Sequence, residues 1–136
     1  TGVLNVTCPA TAHDLRDRTD LGELFALIES SPVLLSNDSA PVHIAGAGDN
    51  WIVLIPSAKD PDLILPYRNG SVHYKTKALY KRLVLDDIPS TPDLVYGSSV
   101  SGCPPKDWSV YLPEPEEVVQ EVVNLYKESC REKKCE

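Results

Sequence analysis

The sequence contains no methionine, not even at position 1. A primary translation product begins with one, so the chain reads as a product from which a leader has been removed. Long hydrophobic runs are also missing. The longest, Trp51 to Pro56, falls far short of the roughly 20 apolar residues that a membrane helix requires. No membrane insertion is expected within this chain, and a tether would have to follow Glu136 in a longer precursor. No stripe of Lys or Arg is present, and the net charge is −7. Phosphate backbones need a basic footprint, which excludes nucleic acid as a partner. Repeats and low-complexity tracts are absent too.

What is present is ordinary globular composition, with 42% hydrophobic and 24% charged residues. At 136 residues the chain is expected to form one domain, 1–136, around a single core.

Four cysteines occur: Cys8, Cys103, Cys130 and Cys135. An even number in a small leaderless domain points to two disulfides in an oxidising compartment. Three pairings are open. An unbroken helix would separate the Cα atoms of Cys130 and Cys135 by about 7.5 Å along its axis, too far for a bridge. That favours links from Cys8 and Cys103 to the tail. Zinc is disfavoured, because only Cys130 and Cys135 are close and His13, His43 and His73 are scattered. No metal or cofactor is expected.

Three segments fit the N-glycosylation pattern: Asn5-Val6-Thr7, Asn37-Asp38-Ser39 and Asn69-Gly70-Ser71. With five asparagines in the chain, and Ser plus Thr at about one position in eight, chance supplies fewer than one match. Glycans at Asn5, Asn37 and Asn69 would make each an exposed position. Sequons and cysteines together point to a secreted, extracellular or luminal location.

The local patterns suggest two helices and a set of strands. Asp20-x-x-Glu23 resembles a capping box, and Leu21, Leu24, Phe25 and Ile28 follow at helical spacing up to Pro32. Pro115 opens a second helix with Glu114, Glu116 and Glu117 at its positive end. Gly2–Cys8 before the first helix, and Val42–Ala45, Trp51–Ile55, Leu63–Leu65, Leu79–Leu85 and Leu94–Tyr96 between the two, read as short strands. Asn69-Gly70 reads as the type I′ turn of a hairpin with Val72, Tyr74 and Thr76 alternating after it. About seven strands without long intervening helices imply a mainly antiparallel β-sandwich with one inserted short helix and a C-terminal helix.

Tests for chemistry return little. Gly46-Ala47-Gly48 lacks the third glycine of a dinucleotide fingerprint and is followed by a strand, so it reads as a hairpin loop. No Gly-x-Ser-x-Gly elbow occurs. Asp60-Pro61-Asp62 and Asp86-Asp87 lack a calcium loop and read as turns. No catalytic residue is assigned. Trp108 and Tyr111 stand out as candidate anchors for a protein partner.

The length, the strands and Trp51 loosely resemble an immunoglobulin-like sandwich. Its marks are missing: Trp51 is far from Cys8, and Tyr96 lies seven residues before Cys103. The expected function is therefore a non-enzymatic, glycosylated ectodomain that binds a host or cell-surface protein. Immune-evasion glycoproteins that engage class I molecules are the analogous type. A small secreted hydrolase or lipid carrier is the alternative.

Overall fold

Asp20 opens the first helix, α1 (Leu21–Ser30), by accepting a hydrogen bond from the Glu23 N–H while the Glu23 carboxylate accepts from the Asp20 N–H. Aspartate thus does the work of the usual serine or threonine in a reciprocal capping box. The computed structural model describes residues 7–56, 59–83 and 107–135. After α1 come strand β1 (Val33–Asn37), helix α2 (Ala40–Ala45), strand β2 (Trp51–Ile55), helix α3 (Pro61–Ile64) and strand β3 (Thr76–Ala78). A 3-10 turn, Trp108–Val110, precedes helix α4 (Pro115–Lys134).

The three strands form one sheet in the order β1-β2-β3, and both pairings are parallel. Val33 lies opposite Trp51 and Ile52 opposite Thr76. Strand β2 is central, and Ile52, Val53 and Leu54 have no exposed surface. Three consecutive buried residues require cover on both faces, since side chains alternate along a strand. Ile52 and Leu54 pack with Ile28 of α1, Val42 and Ala45 of α2, and Ile64 and Leu65 at α3. Val53 points the other way, to the side where α4 meets β1 and β2 with Val118, Leu125 and Ser129 buried.

This layered α/β arrangement replaces the expected antiparallel β-sandwich. Val42–Ala45 and Leu63–Leu65 are not strands: the first lies within α2, and the second spans the end of α3. Each helix begins with proline among its first residues, where the missing N–H costs nothing. The Gly46-Ala47-Gly48 segment is then a helix-to-strand connection, not a hairpin loop. Asn69 and Gly70 do take positive φ, 47° and 84°. Their turn closes through reciprocal Arg68–Ser71 backbone hydrogen bonds, but no hairpin extends from it. The strands expected at Gly2–Cys8 and Leu79–Leu85 fall partly, and Leu94–Tyr96 wholly, outside the described residues.

Gly46 shows how tightly α2 is seated. A Cβ there would lie 2.8 Å from Pro66 Cβ and 2.9 Å from the His43 carbonyl oxygen. Its φ of −60° suits any residue, so space alone demands glycine. Gly46→Ala is expected to cost about 1–3 kcal/mol through overpacking, read as a lower urea midpoint at unchanged slope.

At the amino edge of the sheet, Arg68 ties the connections together. Its guanidinium donates to the carbonyls of Ala45, Gly48, Asn50, Tyr74 and Lys75 over 2.9–3.3 Å. The side chain is buried, which lowers its pKa by desolvation, and among the described residues no carboxylate pairs with the guanidinium. Backbone dipoles therefore supply the compensation that a buried cation needs.

Candidate functional site at the carboxyl edge

In a parallel sheet all strands end at one edge, and open α/β sheets hold ligands in the crevice outside it. Here that edge is built from Asn37, Asp38 and Ser39 after β1, and from Lys59 and Asp60 beyond β2. The first turn is locked by its own short side chains. Ser39 Oγ donates to Asn37 Oδ1 at 2.7 Å and lies 3.1 Å from Ser36 Oγ, which bonds the Asn37 carbonyl at 2.9 Å. Ser39 is the N-cap of α2 but does not cap it through its side chain, because the hydroxyl is committed to Asn37.

Asp38 is half-buried within this turn. His43 is exposed in α2, four residues beyond Ser39 and so on the same helix face. On the second loop, Lys59 is exposed, and the Asp60 carboxylate accepts from the Asp62 N–H to start α3. Asp62 in turn lies 3.8 Å from His73 Nε2, both of them exposed. The edge thus offers a carboxylate, hydroxyls and an amide to bond the hydroxyls of a polar ligand. His43 stands about one helical turn further along, toward the C-terminal end of α2. Among the described residues no group of three His, Cys, Asp or Glu side chains could hold a metal.

A groove of about 570 Å³ lies at the opposite, amino edge, between the end of α1, the turn at Asp49-Asn50 and the last turns of α4. Its charged groups pair with one another across the groove. Lys75 Nζ pairs with Asp49 at 2.7 Å and Glu132 at 3.0 Å, and Tyr74 donates its hydroxyl to Asp49 at 2.7 Å. The hydrogen bonds from Lys75 and Tyr74 hold the Asp49 carboxyl below its ordinary range. Burial alone would lower the Lys75 pKa, but its bonds to Asp49 and Glu132 prevail and raise it. Lys75 reaches them from a left-handed backbone, φ 48°, a conformation that costs a non-glycine residue of order 1 kcal/mol. This groove is a seam joining α4 to the sheet, so the carboxyl edge, where open α/β sheets hold ligands, is the better candidate site.

The residues singled out from sequence are dispersed. Asn37 is exposed on the carboxyl edge and Asn69 on the far turn, while Asn5 and Cys103 lie outside the described residues. Cys8, Cys130 and Cys135 carry free thiols. Trp108 and Tyr111 meet edge to face, with ring centroids 6.3 Å apart at 71°. The Tyr111 carbonyl accepts the Lys81 N–H at 2.8 Å, and Lys81 Nζ bonds the Ser109 carbonyl and pairs with Glu114. That pair of rings therefore belongs to a staple joining the start of α4 to the chain beyond β3. Asp38 and His43 were not singled out as a pair, because Val42–Ala45 read as a strand. Ser39-Ala40-Pro41, a helix-start signal, is what places His43 one turn above the loop.

Comparison with known proteins supplies the family. Residues 2–83 match glycosyltransferase family 9 (heptosyltransferase), a span of well over half the chain. No curated protein and no solved structure matches it. The match overturns the expected non-enzymatic, immune-evasion type of glycoprotein, and the parallel sheet removes the sandwich on which that analogy leaned. The hydrolase or lipid-carrier alternative is not supported either. Among the described residues no helix is long and apolar enough to cross a membrane.

Proposed function

This chain belongs to glycosyltransferase family 9, and we propose that it serves in the transfer of a sugar from an activated donor to an acceptor hydroxyl. The observation that carries this reading is the extent of the match. Residues 2–83 take in α1 through β3, and with them the complete Asn37–Ser39 turn and His43. In such a transfer the acceptor oxygen bonds to the anomeric carbon, the donor's leaving-group oxygen departs, and a base takes the acceptor proton. The protein must orient the donor and stabilise charge on the leaving group.

The carboxyl edge has groups for the donor side of that task. In this reading Asp38 accepts hydrogen bonds from donor hydroxyls, and Ser36 and Ser39 hold its loop in shape. His43, one turn along α2 from Ser39, donates to the leaving group in the same reading. The family's description names heptose, which makes an activated heptose the first donor to test.

Titration with sugar nucleotides, followed by amide chemical shifts, is expected to perturb residues 37–43 and 59–60. Asp38→Ala and His43→Ala should each weaken donor binding at least about tenfold, the scale of a lost charge-assisted hydrogen bond. Both should leave the melting temperature nearly unchanged, and His13→Ala, remote in sequence, should do nothing. Donor binding that survives both substitutions would move the site off this edge.

A further inference from the structure

Helix α4 carries two apolar stripes, and the sheet uses only one of them. Val118, Leu125 and Ser129 are buried against the body. Val119, Val123 and Tyr126 are 62%, 39% and 52% exposed. Their spacing of four and then three puts them on one face, in the alternation that makes the seam of a helix pair. Charges beside the seam are sorted by sign along the axis. Glu116 stands in the first turn, while Lys127, Arg131 and Lys134 occupy the second half. Among the described residues these four side chains make no ion pair within the chain.

We propose that this face binds a second copy of the chain, α4 against α4, antiparallel about a two-fold axis near Val123. Val123 then meets its own copy, and Val119 of one chain stands level with Tyr126 and Lys127 of the other. Glu116 comes level with Cys130 and Arg131 of the second chain. It is within about one helical turn of Lys127 there, a distance that long side chains span. A parallel pairing would set acid against acid and base against base, so the charge order selects the antiparallel, isologous arrangement. An interface of one helix face is small, at the low end of specific contacts, and the dimer is accordingly weak and reversible.

Sedimentation equilibrium of the full chain over about 5–500 µM covers the range such a contact requires. The wild type is expected to show a monomer–dimer equilibrium that weakens as salt is added. Val123→Glu should weaken it at least about tenfold, since the change places two carboxylates at the axis. Val119→Glu, at a more exposed position, should do the same without burdening the fold. Glu116→Lys and Arg131→Glu should each weaken association about threefold or more, and the double variant should recover it because the swap restores opposite signs. Far-ultraviolet circular dichroism of each variant reports the fold. A chain that stays monomeric throughout overturns the proposal. So does a dimer indifferent to both glutamate substitutions, or a double variant that gains nothing over the singles.

Discussion

Arg68→Met is expected to lower stability by about 3–5 kcal/mol, the scale on which removing one side of a buried charged cluster registers. Methionine fills a similar volume but donates no hydrogen bond. The carbonyls of Ala45, Gly48, Asn50, Tyr74 and Lys75 would lose their common donor. Those carbonyls belong to the α2–β2 connection and to the turn entering β3, so the loss loosens both parallel pairings at one end. Arg68→Lys should recover only part of the deficit, because an ammonium presents its donors from one point and cannot span two loops with a planar fork. Urea unfolding followed by circular dichroism gives both numbers. A methionine variant within about 1 kcal/mol of wild type would mean that water takes over the guanidinium's role.

Leu54→Ala is the second large effect, at about 2–5 kcal/mol. Leu54 has no exposed surface and packs among residues from α1, α2 and α3. Helices from three separate segments cannot all move in to fill the space a shortened side chain leaves. Leu35, in the neighbouring strand, is 47% exposed, so Leu35→Ala should cost under about 1 kcal/mol. The contrast between two leucines in paired strands is the measurement that matters. Equal losses would show that β1 is covered in solution by something more than the described residues.

How far the fold can be read from sequence depends on the length of each element. Helix α1 was legible from Asp20, Glu23 and the apolar spacing behind them. Helix α4 was legible from Pro115 and its sorted charges. Helices α2 and α3 were not, because six and four residues are too few to show a 3.6 period. A short, mostly apolar run looks the same in a buried strand and in a single helical turn. The better clues were Pro41 and Pro61, each just after a Ser or Asp that can begin a helix. Strand β2 held a further clue: Trp51–Ile55 is apolar without alternation, the pattern of a strand covered on both faces. Antiparallel pairing was inferred from the shortage of long helices, yet a parallel crossover needs only a connection long enough to return.

The candidate site was hidden by a competing meaning of the same letters. Asn37-Asp38-Ser39 fits a glycosylation pattern, and it is also a polar turn closed by a Ser39–Asn37 hydrogen bond. Short polar residues serve both purposes, and the strand before and the helix after are what mark the turn. The cysteines carry a double meaning of the same kind. An even count suggests bridges only when the compartment is already known.

The covering of Val53 by α4 has a consequence for how the chain reaches this structure. Val33 and Trp51 are 18 positions apart, whereas β1 ends at Asn37 and α4 begins at Pro115. That separation is roughly four times longer, which adds about 1.2 kcal/mol of closure entropy. The β1–β3 unit can therefore assemble from neighbouring segments while the chain is still being synthesised, one face of its sheet bare. Only when the last turns of α4 have left the ribosome does that face close, through a helix whose valines give it little stability alone. Until then the nascent domain presents a sticky apolar surface. Its rate of productive folding is set by the arrival of α4, and a chaperone would be needed most in that interval.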